Sequence, residues 1–192
     1  MTELDFDTVR TVTGMAVAPG TTARDYLHGR RDHYVNPVKF AVLAATLYVV
    51  VNELTNRSEV AAIVDPLMTM QAVWPYVALL ALLPTAFVQR QMFRGRDVNA
   101  AECYAFELLL FGELALLATV LLLIGRGLGL PVLVWPVHLP VAAYVAWAVT
   151  GLYDDRRFSV WARGAATYLF LVVVMVGVLW GFQWWRFRML FA

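Results

Sequence analysis

AECYAFELLLFGELALLATVLLLI, residues 101–124, decides the fold of this 192-residue chain. Glu102, Glu107 and Glu113 are its only charged residues, and Leu, Ala, Val, Phe and Ile supply most of the rest. An α-helix rises 1.5 Å per residue, so this stretch reaches about 36 Å, more than the roughly 30 Å hydrocarbon core of a bilayer. The chain as a whole follows the same bias. It is 61% hydrophobic and 15% charged, against about 45–50% and about 25% in ordinary soluble domains. Its mean hydropathy is +0.66. A soluble globular enzyme is excluded on that ground, and the length leaves no room for a second catalytic domain of usual size.

Working outward from 101–124, four more apolar stretches read as spans, at about 38–54, 73–90, 130–150 and 160–182. The predicted fold is therefore all-α: a polytopic membrane helix bundle of about five transmembrane helices over residues 38–192. The first is short, and helix can continue past Lys39, whose stem can snorkel. Glu53 to Ala72 reads as a connection, with Val60–Val64 and Leu67–Met70 lying on the membrane surface. The second span holds Pro75 and Pro84, and the fourth holds Pro131, Pro136 and Pro140. Trp180, Trp184 and Trp185 close the fifth as an interfacial aromatic belt.

Residues 1–37 are more polar and read as interfacial amphipathic helices. Phe6, Val9, Val12 and Met15 recur at three-residue spacing and predict one apolar stripe. Pro19-Gly20 is expected to stop that helix, Thr22 with Asp25 to begin another, and Gly29 to end it. Such helices lie in the interface, apolar face down. The opening MTELDFD is acidic and leads into no apolar run, so a cleavable signal peptide is not expected.

The charges set the orientation. Placing the N-terminus in the cytoplasm puts Arg10, Arg24, Arg30, Arg31, Lys39, Arg90, Arg94, Arg96, Arg156, Arg157 and Arg163 on the inner side. Only Arg57, Arg126, Arg186 and Arg188 fall outside. Eleven against four agrees with the positive-inside rule. Arginine outnumbers lysine fourteen to one, a usage typical of GC-rich bacterial coding, and the expected location is the bacterial cytoplasmic (inner) membrane.

The stretch PGTTARDYLHGRRDHYVNP, residues 19–37, resembles an uncharacterised bacterial integral-membrane family, domain of unknown function 3667. The matching positions are Pro19, Gly20, Tyr26, Leu27, Gly29, Arg31, Tyr34 and Pro37. Weaker matches lie at Ala101–Phe106, through Glu102, and at Tyr144 with Gly151–Tyr153. The resemblance implies an architecture and a compartment, not a reaction. Fuller members carry an N-terminal zinc ribbon with cysteine pairs, which this sequence lacks. Cys103 and Leu109 stand where members often carry histidine. The layout is also similar to that of Yip-type five-span membrane proteins, an analogy of fold only.

Candidate chemistry is sparse. Arg30, Arg31, Arg94 and Arg96 could contact anionic lipid headgroups, worth about 1 kcal/mol each at the cytoplasmic leaflet; alternatively they only set orientation. Ionisable groups within a span are expensive and point to function. Glu113 lies roughly 16 Å below the outer end of the third span, and His138 roughly 12 Å below the start of the fourth. These two could pair at similar depth and hold a proton, or make a structural hydrogen bond worth about 0.6–2 kcal/mol. Glu107 lies off the Glu102–Glu113 face, about 140° from Glu102. Cys103 is the sole cysteine, which excludes an intramolecular disulfide and a cysteine-based zinc site. No catalytic constellation, cofactor motif or metal motif is found, and His28 and His33 alone make a weak metal site. The expected role is structural or interactive, with membrane lipids and other membrane proteins as partners and no nucleic acid. The alternative is a small transporter, proton or ion pathway, or lipid-handling protein using Glu113 and His138.

Overall fold

The computed structural model describes residues 3–55, 66–128 and 138–191. They form seven α-helices: α1 (Glu3–Val17), α2 (Pro19–Leu27), α3 (Pro37–Thr55), α4 (Pro66–Met92), α5 (Ala100–Gly127), α6 (His138–Leu152) and α7 (Phe158–Phe191). A single 3-10 turn, Arg31–His33, precedes α3. Among the described residues, Arg31–Thr55, Ala100–Gly127 and Phe158–Met189 are long and apolar enough to cross a membrane. The α6 helix is apolar but shorter. The all-helical expectation therefore stands, with three candidate crossings.

Helix α5 is the centre of the molecule: α3 and α4 pack along it, and α1 and α2 reach it from one end. Helix α7 packs on α6 and α4, and α2 crosses α6. One core joins these pieces, with Met15, Ala23, Phe40, Phe93, Phe106, Leu109, Val149 and Leu152 all buried in it. The crossing of α2 on α6 is backbone on backbone. A Cβ placed on Gly20 would collide with the Ala148 carbonyl and the Gly151–Leu152 backbone. Small residues permit this close approach, which drives helix association where lipid supplies no hydrophobic difference.

The structure corrects several boundaries. Helix α4 begins at Pro66, seven residues ahead of the expected span, and runs unbroken through Pro75 and Pro84. A proline at the first helical position needs no partner for an N–H, and an apolar helix packed among others tolerates internal prolines. The predicted surface patch at Leu67–Met70 is thus the start of α4, while Val60–Val64 falls outside the described residues. Residues 130–137, with Pro131 and Pro136, also fall outside them. Helix α7 continues nine residues past the expected end at Phe182, since no proline interrupts it.

At the N-terminus the predicted stripe does not hold. Met15 is fully buried, whereas Phe6 is 66% and Val9 62% exposed. Three-residue spacing drifts 60° backwards at each step on a 3.6-residue helix, so Phe6 and Met15 lie on opposite sides of α1. The buried side is instead Thr11 with Met15, four apart and turned to the bundle. Nor does Thr22 begin the second helix: Pro19 does, and Thr22 is buried within α2. Gly29 ends it as expected, at φ 102°. The Gly29 and Arg30 N–H groups donate to the Tyr26 and Asp25 carbonyls, the paired bonds of a Schellman cap.

Candidate functional site

The N-terminus of α5 is fixed by its own sequence. Asn99 accepts from the Glu102 N–H (2.9 Å), and the Glu102 carboxylate accepts from the Asn99 N–H (2.7 Å). This reciprocal capping box satisfies two orphan donors, so Glu102 has a structural role. Glu107 and Glu113 lie deeper, at about 10 Å and 20 Å from the helix start. Both are buried, at 5% and 2% exposure, and each has a carboxylate oxygen with no hydrogen-bond partner among the described residues. Gln89 on α4 is completely buried, and neither end of its amide is paired among the described residues.

Gln89 carries no signal in the sequence, whereas Glu107 is one of the three charged residues of 101–124. Glu107 does lie off the Glu102–Glu113 face, but α5 has helices on several sides, and Leu108, Leu109 and Leu110 are all buried in succession. A central helix has no free face to which a carboxylate could be assigned. Further polar groups gather around Glu107. Cys103 Sγ lies 3.9 Å from the Tyr153 hydroxyl, and Arg90 is within electrostatic reach of both. Tyr153 stacks on Phe93 at 4.2 Å, and the Arg163 guanidinium covers the Phe93 ring and donates to the Met92 carbonyl at 3.1 Å.

His138 Nδ1 is 2.6 Å from the Tyr168 hydroxyl on α7. Glu113 stands within electrostatic reach of Tyr144 on α6, whose hydroxyl donates to the Met15 carbonyl at 2.8 Å. Tyr144 thereby joins the intramembrane polar groups to the N-terminal helices.

The charged end of the bundle is largely self-paired. Arg30 binds Asp25 (3.1 Å), and Arg96 binds Asp155 (2.5 Å). Arg31 lies over the Tyr26 ring at 5.9 Å, and Arg94 is exposed. Of the four candidate headgroup arginines, two are thus engaged with carboxylates. Arg24 bridges to Asp154 (3.0 Å), which brings α2 and the α6–α7 loop to the same end as the α4–α5 loop. Asp155 is held below the usual carboxylate range by the Arg157 backbone N–H and the Arg96 guanidinium.

Most of the positions that carry the resemblance at 19–37 acquire a physical reason. Gly20 permits the crossing with α6, and Gly29 forms the cap. Tyr26 lies under Arg31, and Tyr34 under Arg10 at 5.6 Å. Asn36 accepts from the Val38 and Lys39 N–H groups ahead of α3, with Pro37 at its first position. Among the described residues no three His, Cys, Asp or Glu side chains converge as metal ligands would.

The family described as Protein of unknown function (DUF3667) matches residues 9–49, which covers the last nine residues of α1, all of α2 and most of α3. No curated protein and no solved structure matches the chain.

Proposed function

We propose that this chain is an interaction component of the bacterial cytoplasmic membrane, crossing it five times with α3 to α7 and keeping α1 and α2 on the cytoplasmic side. It performs no catalysis in this reading. The observation that carries it is the outer half of α7. At 34 residues, α7 is about 51 Å long, against about 22 Å for the 15 residues of α6. Its far half is exposed among the described residues, Val173 by 67%, Trp180 by 75% and Trp184 by 59%.

On that half, Gly177 and Gly181 stand one turn apart, and a Cβ placed on either would meet no other helix within 4 Å among the described residues. Glycines so spaced let two membrane helices approach backbone to backbone. The partner is a second copy of the chain, because a shallow glycine notch is complementary to itself and so suits an isologous contact. The test is mass by light scattering of the full-length chain in mild detergent. A dimer is expected for the wild type, and a monomer of unchanged helicity for the Gly177→Leu/Gly181→Leu double variant. A monomeric wild type, or a dimer surviving both substitutions, overturns the reading.

A second reading, a proton or ion pathway, is favoured by the unpartnered buried atoms of Glu107 and Glu113. Glu113 would act there with His138 or through Tyr144. Glu113→Gln in proteoliposomes separates the two. Loss of proton flux at normal folded yield supports the pathway, and a loss of yield alone returns Glu113 to a structural role.

A further inference from the structure

Between α2, α6 and α7 the surface opens into a cleft of about 790 Å³. Pro19 and Gly20 form one wall, Trp147 and Trp161 another, and Asp154 and Arg156 of the α6–α7 loop edge it. Trp147 lies five residues before the end of α6, and Trp161 three residues into α7. Both are therefore within about 4–8 Å of the helix ends, the level at which membrane helices meet water and indole rings concentrate. Neither tryptophan is buried, at 46% and 39% exposure, so their rings are available to a ligand.

The charge of the cleft is settled by its neighbours. Asp154 is engaged by Arg24, and Asp155 by Arg96 and Arg157. Arg156 is exposed and has no carboxylate partner among the described residues. The loop's acidic groups are thus already neutralised, and one guanidinium is left facing water beside two indole rings. A guanidinium binds phosphate oxygens through paired, charge-assisted hydrogen bonds. Indole rings suit the junction of a polar head and an apolar tail. The volume falls in the usual range for small-ligand sites, about 300–1,000 Å³.

We propose that this cleft binds the phosphodiester headgroup of an anionic phospholipid, with Arg156 on the phosphate and Trp147 and Trp161 beside the glycerol backbone. A zwitterionic lipid fits less well, because its ammonium would meet only an aspartate already held by Arg24. The site goes beyond the pairing of α7 and does not depend on it. It also differs from the headgroup contacts expected of Arg30, Arg31, Arg94 and Arg96.

Native mass spectrometry of the full-length chain tests it, with dioleoylphosphatidylglycerol or dioleoylphosphatidylcholine added at equal concentration. One phosphatidylglycerol is expected to remain bound at several-fold higher occupancy than phosphatidylcholine. Arg156→Gln should lower that occupancy about tenfold, while Arg126→Gln, at an exposed arginine in the last turn of α5 and outside the cleft, leaves it unchanged. Should Arg156→Gln fail to fold, Arg156→Lys keeps the charge and must keep the preference. Equal retention of the two lipids overturns the proposal, as does indifference to Arg156 or an equal loss with Arg126→Gln. Displacement of the lipid by millimolar inorganic phosphate assigns the site to free phosphate instead and overturns it as well.

Discussion

Gly20 and Gly29 stand on one short segment and are required for unrelated reasons. At Gly20 the constraint is space, because the backbone of α6 occupies the place a Cβ would take. At Gly29 nothing lies within 4 Å, and the constraint is the φ of 102° that closes α2. Gly20→Ala is expected to destabilise the folded chain by about 1–3 kcal/mol through overpacking. Gly29→Ala should cost about 1–2 kcal/mol of backbone strain. Thermal unfolding in detergent measures both, and only Gly20→Ala should also disturb near-ultraviolet signals from Trp147, which lines the same cleft. The two glycines were unequally legible. A cap is a local event, readable from a helix and the residue after it; a crossing depends on Gly151, which no local pattern points to. Gln89, and the burial of Glu107 though not its presence in the span, are illegible for a similar reason, since both are covered by neighbouring helices rather than by their own.

Among the elements, length and apolarity were the readable signals and ends were not. The stretch 101–124 becomes α5 with only slight extension: a capping box at Asn99 opens it, and the helix runs on through Gly125 to Gly127. The beginning of α4 was hidden behind Pro66, which reads as a turn in a loop but serves equally well to open a helix. In α7 the tryptophans looked like a terminus, yet they ride on continuous helix to Phe191. For α1, burial of Thr11 and Met15 follows a four-residue step, and the Thr11 hydroxyl accepts from the Val35 N–H at 3.0 Å. A polar residue was the anchor there, and a search for apolar periodicity passes over it. The side of the bundle shared by α2 and the two arginine-rich loops was, by contrast, legible from charge alone.

At the scale of the whole molecule, that shared end is tied together by Arg24–Asp154 and Arg96–Asp155, which link three stretches distant in sequence. The pH dependence follows from Asp155, whose folded value lies below the ordinary 3.8. Its contribution is complete above the ordinary value and is lost as pH falls through the lower, folded one. The melting temperature of the wild type should exceed that of Asp155→Asn at pH 7, and the gap should close on acidification below about 3.8. A constant gap down to pH 2.5 would show that the pairing contributes nothing. The bond from Tyr144 to the Met15 carbonyl spans 129 positions, and it sets a timetable. The seat for α1 and α2 does not exist until α6 has been synthesised, on the order of ten seconds after Met15 at about 5–20 residues per second. Until then the first two helices lack the surface that buries Met15 and Gly20 in the finished bundle. The N-terminal segment is therefore made first and seated last.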